Sequence, residues 1–291
     1  MTIITLPRLI LVSIALSSLI LAASATNSTP VNQEKAMSTH HKQAVVDLIK
    51  SIETGDPKPV GIINSNKFIQ HNLAAGDGVA GFDALLKQLP KGSAKANTVR
   101  VFQDGDFVFT HTDFNFFGPK VGFGIHRFEN GKIVEHWDNL QEKPTAANPS
   151  GHTMLDGPTQ TTDMGKTEAN KTLVRAFVDD ILVNGRMNKL AAYFDGDNYI
   201  QHNPLVADKL SGLGAFLQAM AKQGVVLKYD RIHQVLGEGN FVLVASEGSL
   251  AGHPSAFYDL FRVENGKIAE HWDTIETIPP VAEQKNANGK F

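Results

Sequence analysis

ENGKIVEHWD at residues 129–138 and ENGKIAEHWD at residues 264–273 are nearly the same stretch, found twice in one chain. Each contains an Asn-Gly pair that lies between two strand-like segments. Asn-Gly is the strongest two-residue signal for a β-hairpin, because both central residues of a type I′ turn need a positive φ. The twin stretches therefore predict two copies of one antiparallel hairpin.

The similarity between the two halves of the chain extends beyond the hairpin. KFIQHN at 67–72 resembles NYIQHN at 198–203, and GDFVF at 105–109 resembles GNFVL at 239–243. The spacing between these landmarks differs by only a few residues, which surface loops tolerate after a whole domain has been duplicated. We therefore predict a tandem pair of similar domains.

The boundaries of the two domains follow from length and composition. Each copy is long enough for one hydrophobic core, which places the first domain at 38–143 and the second at 167–280. Residues 144–166 are rich in Pro, Gly, Thr and Asn and lack apolar periodicity, so they are predicted to be a linker. Residues 281–291 are predicted to be a disordered tail.

The order of the predicted elements is the same in both copies. In the second copy Val174, Val178 and Ile181 recur at helical spacing, and a similar pattern opens the first. Strand-like segments joined by short turns follow the QHN segment in each copy. Helices followed by a run of hairpin-linked strands predict an α+β fold with an antiparallel sheet.

The composition excludes several classes of function. The chain has 291 residues and no cysteine, which rules out disulfides, thiolate metal sites and a cysteine nucleophile. Its formal net charge is −3 without a block of like charge, so no partner nucleic acid is predicted. Its 11 histidines show no His-x-His or His-x-x-x-His spacing, and there is no Gly-rich phosphate loop. We therefore predict neither a metal site nor a cofactor.

The N-terminus has the features of a secretory signal peptide. Arg8 is followed by an apolar stretch at 9–21 and then by small residues that include an Ala23-x-Ala25 cleavage site. We predict a signal peptide at 1–25 and a mature protein that is periplasmic or secreted, without a membrane partner. An uncleaved membrane anchor is the alternative, although the apolar stretch is short for a bilayer.

The second Asn-Gly turn also predicts which residues of its hairpin lie opposite each other. If the pairing is uninterrupted, Val263 faces Ile268 and Asp259 faces Trp272. His271 then lies on the opposite face of the sheet from Trp272, at the surface or at an interface, because side chains alternate along a strand. The His-Trp-Asp triplet therefore cannot act as one cluster.

Asp259 is the residue of greatest chemical interest in this hairpin. Burial beside an indole would disfavour the charged carboxylate and raise its pKa toward values that are useful in acid–base catalysis. A carboxylate that is only hydrogen-bonded at the edge of the sheet is the alternative. In the first copy Gly124 takes the equivalent position, beside Trp137 in the same register, so that copy lacks the carboxylate.

The second copy resembles SnoaL-like domains. FYDLFRVENGKIAEHWD at 257–273 and QHNP at 201–204 carry the resemblance, which covers nearly all of 167–280 and, more loosely, 38–143. These domains belong to the nuclear-transport-factor-2-like superfamily, together with polyketide cyclases and ketosteroid isomerases. The resemblance implies two tandem cone-shaped α+β domains, each with a curved antiparallel sheet packed on N-terminal helices around an apolar pocket.

The resemblance also implies a chemistry. Polyketide-cyclase relatives close rings by an intramolecular aldol condensation without metal or cofactor, and they use an aspartate with a histidine beside it. The aspartate position matches Asp259, and the histidine position matches His111 in the first copy but Ala245 in the second. Each copy thus keeps one member of the pair, and Asp259 and His111 are the candidate catalytic residues.

These features favour a cofactor-independent lyase or isomerase that cyclises, or moves a proton on, a small hydrophobic carbonyl compound. Six further residues are candidates for substrate binding, because they lie near an aspartate position or near the implied pocket opening: Trp272, Tyr258, Phe257, His202, Trp137 and His71. The alternative function is non-catalytic binding of an apolar small molecule outside the cytoplasm, or the association of domains.

The predicted partners include the two domains themselves. Single domains of this superfamily commonly pair through the open face of the sheet. Two such domains in one chain could form an intrachain pseudo-dimer, and a larger homo-oligomer is the alternative.

Overall fold

The computed structural model describes residues 30–89 and 92–291. The predicted signal peptide at 1–25 lies outside the described residues. Within the described part of the chain, no helix has both the length and the apolar character needed to cross a membrane.

The first domain begins with a long helix, and apolar residues on one of its faces, among them Val45, Leu48 and Ile49, are buried in the core. A second helix and a series of strands follow. The elements in chain order are α1 (Pro30–Thr54), a 3₁₀ helix (Lys58–Ile62), β1 (Ile69–Gln70), α2 (Gly78–Gln88), β2 (Lys95–Asp104), β3 (Phe107–Asn115), β4 (Pro119–Glu129) and β5 (Lys132–Glu142).

The second domain repeats this order. Its first helix ends in a π-helical segment, Val178–Val183, and buries Val174, Phe177 and Ile181 at the helical spacing expected from the sequence. The elements in chain order are α3 (Thr167–Phe177) with that segment, a 3₁₀ helix (Met187–Tyr193), β6 (Ile200–Gln201), α4 (Leu210–Lys222), β7 (Leu227–Glu238), β8 (Phe241–Leu250), β9 (His253–Glu264) and β10 (Lys267–Thr277).

Each domain contains a five-stranded sheet, with the strand order β1-β5-β4-β3-β2 in the first and β6-β10-β9-β8-β7 in the second. The four long strands of each sheet are antiparallel, and the short strand that carries the QHN segment pairs in parallel with the last strand. The predicted fold class is confirmed: two tandem α+β cones, each with a curved sheet packed on its N-terminal helices.

The Asn-Gly turns have the conformation that the sequence predicts. Asn265 and Gly266 have φ angles of 51° and 73°, and the equivalent residues of the first hairpin have 50° and 73°. Val263 pairs with Ile268 as expected. After that pair, Ala269 forms a β-bulge, and the register of the hairpin shifts by one residue.

The bulge changes the neighbours of every residue beyond it. Phe261 pairs with His271, and Asp259 pairs with Asp273. The prediction that Asp259 faces Trp272 is therefore wrong, because the extra residue moves the indole to the other side of the sheet. His271 and Asp273 instead share a face with Asp259.

The first hairpin contains the same bulge. Val134 is the unpaired residue, so that His126 pairs with His136 and Gly124 pairs with Asp138. Val134 and Ala269 mark the single position at which the two decapeptides differ. Gly124 and Asp259 lie at equivalent positions of the two domains, as predicted. Their cross-strand partners, however, are Asp138 and Asp273 and not the two tryptophans.

The outer faces of the two sheets pack against each other within the chain. Their contact contains the largest aromatic side chains of both hairpins, and the rings of Phe102 and Phe241 stack with centroids 4.8 Å apart. Polar bonds surround this core: Glu238 Oε2 accepts a hydrogen bond from the backbone of Gln103 at 2.8 Å. The apolar faces of both sheets are thereby removed from water without a second chain.

The linker and the tail bind to equivalent places on the two domains. Asn148 of the linker donates from Nδ2 to the backbone oxygen of Gln201 at 2.6 Å. Asn288 of the tail donates in the same way to the oxygen of Gln70 at 2.9 Å. The expectation of a disordered tail is therefore wrong, since its side-chain amides satisfy backbone groups next to the QHN segment.

The packing of the two sheets predicts a monomer in solution. The face through which a second chain would pair is already covered by the other domain, so light scattering should give the mass of one chain over the micromolar range. A mass that doubles as the concentration increases would contradict this expectation and favour the homo-oligomer.

Candidate functional site

The second cone encloses a cavity of about 750 Å³ between the concave face of its sheet and its helices. Its walls are mainly apolar. They include Phe177, Leu213, Phe216, Leu217, Phe261 and Ile275. Buried polar side chains also line it, namely Gln201, Asn203, Asp259, His271 and Asp273. Among the described residues around this cavity there is no lysine or arginine.

A buried pair of ionisable groups lies in this cavity. Nε2 of His271 is 3.0 Å from Oδ1 of Asp259, and the two residues are 7% and 1% exposed. The hydroxyl of Tyr229 donates to both oxygens of Asp259, at 3.2 and 3.3 Å. The carboxylate thus has polar partners on β7 and β10, although its surroundings are apolar.

The hydrogen bonds of Gln201 decide which nitrogen of His271 carries a proton. Oε1 of Gln201 accepts the backbone N–H groups of His202 and Asn203, at 3.0 and 3.2 Å. The same oxygen is 3.1 Å from Nδ1 of His271, so this nitrogen must be a donor. The bond between Nε2 and Asp259 then needs one more proton, which belongs either to an imidazolium or to a carboxylic acid. His271 and Asp259 therefore share one proton.

Burial and charge act in opposite directions on His271. Burial alone would lower the pKa of His271, but the hydrogen bond that its Nε2 donates to Asp259 and the negative charges of Asp273 and Asp259 raise it above the usual value. The shared proton is therefore held more firmly than on an ordinary histidine.

Asp273 differs from Asp259 in its hydrogen bonds. Its Oδ2 accepts from Nδ2 of Asn203 at 2.7 Å, whereas its buried Oδ1 has no partner among the described residues. Burial raises the pKa of Asp273, against the opposing positive charge of His271. Burial thus shifts Asp273 toward its neutral acid form, and its Oδ1 has no hydrogen bond in the described part of the chain.

Two of the predicted site residues lie on the wrong face of the sheet. Trp272 and Tyr258 are fully buried in the contact between the two domains, not in the cavity. Phe257 shares a face with Asp259, and its ring stacks on Tyr229 with centroids 4.2 Å apart. The geometry thus supports Phe257 as a residue that positions Tyr229, and it does not support a substrate contact for Trp272 or Tyr258.

The histidines of the QHN segments hold the linker and the tail in place. His202 stacks on Trp272 with centroids 4.5 Å apart, and its Nδ1 is 2.8 Å from the backbone oxygen of Thr153 in the linker. His71 stacks on Trp137 at 4.8 Å, and its Nδ1 is 2.9 Å from the backbone oxygen of Gly289 in the tail.

Neither histidine lines the cavity of its own domain, and nor does Trp137. Their predicted role in substrate binding therefore has no support in the geometry. They belong to the contacts that close the outer side of each sheet.

His111 also lies between the domains. Its ring stacks on Phe123, and Nη1 of Arg100 is 3.1 Å from its Nδ1, while the guanidinium of Arg100 lies 4.4 Å from the ring centroid of Trp272. Burial and the charge of Arg100 hold the pKa of His111 well below its usual value. His111 is therefore a neutral residue of the interdomain contact and does not face Asp259.

Residues that sequence reasoning missed complete the site. Tyr229, Gln201, His271 and Asp273 surround Asp259, and only His271 was considered, as a surface or interface residue. Two of the four lie in the repeated EHWD motif and one in the repeated QHN motif, so the repeats did contain a signal. The β-bulge hid this signal, because a register without the bulge places Trp272 opposite Asp259, where the structure has Asp273.

Two clusters among the described residues bring three possible metal ligands within 4.8 Å of one another. One is Asp259, His271 and Asp273, and the other is His152, Asp156 and His202. These distances alone do not show that either cluster binds a metal ion. In the first, a shared proton accounts for the contact of His271 with Asp259, and in the second, His202 already bonds to Asp156 at 2.8 Å.

The first cone encloses a smaller cavity of about 360 Å³. His136 and Asp138 line it at the positions equivalent to His271 and Asp273, and Gly124 replaces the catalytic candidate. The two cavities therefore share a framework but differ in their ionisable groups.

Comparison with known protein families gives a match within the second domain. Residues 174–271 match the family model described as the SnoaL-like domain. A search of curated proteins finds no match for the chain.

Solved structures that are similar to the chain each correspond to about one of its domains. An LEH-like epoxide hydrolase of M. tuberculosis has 22% sequence identity and a TM-score of 0.31, over 38% of this chain and 85% of that one. An NTF2-like protein from Burkholderia xenovorans LB400 has 22% identity and a TM-score of 0.31, over 38% of this chain and 92% of that one. TsrD from Streptomyces laurentii has 16% identity and a TM-score of 0.31, over 35% and 89%.

The shared proton predicts a coupling that NMR can measure. Asp259→Asn removes a negative charge from the neighbourhood of His271, so the pKa of His271 should fall. A titration of the imidazole ¹⁵N shifts would report this change, with exposed His253 as the internal control. An unchanged titration of His271 would show that the pair does not share a proton.

Proposed function

We propose that the second domain, which matches the SnoaL-like family model over residues 174–271, catalyses cofactor-independent proton transfer next to the carbonyl group of a small apolar molecule. Asp259 is the general base and acid. The observation that carries this proposal is the buried hydrogen bond between Asp259 and His271, which contains one proton inside an apolar cavity. General acid–base catalysis needs a group of this kind that is held in a fixed position within reach of the reacting C–H bond.

The proposed step uses the carboxylate oxygen that His271 does not occupy. Oδ2 of Asp259 accepts one hydrogen bond, from Tyr229, and its other lone pair can take a proton from the carbon next to the carbonyl group. The electrons of that C–H bond then form the enolate. Return of the proton to another carbon gives an isomer. Alternatively, the enolate carbon attacks a second carbonyl group and closes a ring, and the proton held by Asp259 passes to the alkoxide formed from that carbonyl.

His271 stabilises the charged form of the base before the step. Its imidazolium would bond to Asp259 through Nε2, while Gln201 fixes the ring through Nδ1. Fixing the ring in advance avoids the reorganisation that a solvent-exposed base would need.

Asp273 is proposed to stabilise the enolate oxygen. As a neutral acid it can donate from Oδ1, the atom that has no partner among the described residues. A carboxylic acid kept neutral by burial is an effective donor to a developing oxyanion in an apolar site. The two aspartates of the cavity would thus have opposite roles, one as base and one as donor.

The cavity also sets the class of substrate. Its volume of about 750 Å³ lies within the range of small-molecule sites, and its apolar walls suit a hydrocarbon skeleton. None of the described lining residues is lysine or arginine, and the imidazolium of His271 is already paired with Asp259, so the wall has no cation left for an anionic substrate. An uncharged carbonyl compound is therefore favoured.

Non-catalytic binding of an apolar molecule is the second candidate function. The observation in its favour is Gly124, since the first cavity is also lined by apolar residues but has no aspartate at that position. Turnover decides between the two functions for the second domain.

Loss of the base should abolish proton transfer. Hydrogen–deuterium exchange at the α-carbon of 2-tetralone, followed by NMR in D₂O, measures the step without knowledge of the natural substrate. Asp259→Asn should lower the protein-catalysed rate by about 10²–10⁴-fold, because general base catalysis contributes this much. Asp138→Asn in the first domain is the matched control and should keep the rate.

Unchanged exchange in Asp259→Asn, with a native circular dichroism spectrum, would refute the role of this residue. Binding of 2-tetralone by the native protein without any exchange would favour non-catalytic binding.

The pH dependence should identify Asp273 as the donor. The acid form is the active one, and burial raises the pKa of Asp273, so activity should persist above the ordinary range of an aspartic acid and fall as the pH rises through that pKa. Asp273→Asn carries an amide that cannot ionise, so this alkaline decrease should disappear. An identical alkaline decrease in the variant would show that another group titrates.

A further inference from the structure

The first domain contains the framework of the second site without its aspartate. Oε1 of Gln70 accepts the backbone N–H of Asn72 at 2.9 Å and is 2.8 Å from Nδ1 of His136. Nδ1 of His136 is therefore the donor, as in the second domain, and Nε2 carries a lone pair. In the second domain the equivalent nitrogen bonds to Asp259, but here Gly124 provides no side chain.

The space beside Gly124 is surrounded by groups that can form hydrogen bonds. A Cβ atom at this position would lie 3.1 Å from Oγ1 of Thr110, 3.4 Å from Cε1 of His126 and 3.9 Å from Nε2 of His136. In the second domain Val244 and Phe261 stand at the positions of Thr110 and His126. The first domain thus lacks the carboxylate and has a hydroxyl and an imidazole around the place where that carboxylate would be.

His126 has a polar atom that nothing in the described chain satisfies. Its Nδ1 is buried without a hydrogen-bond partner, although the residue is only 4% exposed and lines the cavity. An unsatisfied buried ring nitrogen costs free energy, which a ligand with a suitable polar group would recover.

The charges near this cavity differ from those in the second domain. Lys120 is among the lining residues. Nζ of Lys290, from the tail, lies 3.9 Å from Oδ1 of Asp138 and 2.8 Å from Oε2 of Glu276. Asp138 therefore has a lysine nearby, whereas the positive charge near Asp273 is that of His271, which is already paired with Asp259. An acidic ligand meets less repulsion here than it would in the second cavity.

The remaining wall of the cavity is apolar and rich in aromatic rings. Its members include Leu48, Ile52, Phe82, Phe114, Phe116 and Phe123. The volume of about 360 Å³ is sufficient for a compact hydrocarbon group attached to a polar head.

We propose that the first domain binds an apolar monocarboxylic acid, whose carboxyl group occupies the place that Asp259 takes in the second domain. The O–H of the acid donates to Nε2 of His136, so that one proton again lies between a carboxyl group and a histidine. Thr110 donates to a carboxyl oxygen, and His126 completes the polar contacts through Nδ1. The hydrocarbon part lies among the phenylalanines. No bond of the ligand is broken, so this is a binding site and is independent of the proposed activity of the second domain.

The test compares three probes with the same aromatic skeleton: 2-naphthoic acid, its methyl ester and 2-naphthalenemethanol. Isothermal titration calorimetry with the full chain should show that the acid binds at least ten-fold more tightly than the ester or the alcohol. Gly124→Asp supplies the carboxyl group from the protein and should abolish this preference. Equal affinities of the three probes, or an undiminished preference in Gly124→Asp, would overturn the proposal.

Two further variants keep the test decisive if Gly124→Asp does not fold. Thr110→Val and His126→Phe copy the residues of the second domain, and each should reduce the affinity for 2-naphthoic acid without changing that for the ester. Thr112→Val removes a buried hydroxyl from the same strand that has no partner in the described chain and does not line the cavity, so its affinities should stay the same. A loss of affinity in Thr112→Val as large as that in Thr110→Val would also overturn the proposal.

Discussion

One extra residue in each hairpin determines which side chains lie together on each face of the sheet. Side chains alternate between the two faces of a strand, so a bulge that shifts the register by one residue exchanges the neighbours of every residue beyond it. With Ala269 unpaired, Asp259 lies opposite Asp273 and beside His271. Without the bulge it would lie opposite Trp272, and the cavity would lack its proton-sharing pair.

The two faces of each sheet are under different constraints. The outer faces pack on each other, and both copies keep a tryptophan there with a stacked histidine: Trp137 with His71, and Trp272 with His202. A change on one outer face affects the packing of both domains, because interiors are close-packed. The concave faces line two separate cavities. They differ at the position of Asp259, where the first domain has Gly124.

The ionisable groups of the second cavity are buried, but their arrangement avoids an unpaired charge. An isolated carboxylate in an apolar cavity is costly unless it is paired or protonated. Asp259 is paired with His271, and the pKa of Asp273 is raised, which favours its neutral form. The two carboxyl groups therefore have different electrostatic environments within the same apolar volume. The first cavity has the histidine without the base, which makes it a site that can receive a carboxyl group.

The sequence by itself determined the duplication, the element order, the two Asn-Gly turns and the resemblance to a family, because each depends on residues close together in the chain. It also selected Asp259 as a candidate catalytic carboxylate, a role that stays a prediction. Tertiary structure alone decided the partners of that carboxylate. Neither alanine nor valine signals a bulge, so Ala269 could not be recognised as the residue that shifts the register. The contact of Gln201 with His271 joins segments far apart in the chain, and such contacts follow from packing, not from local pattern.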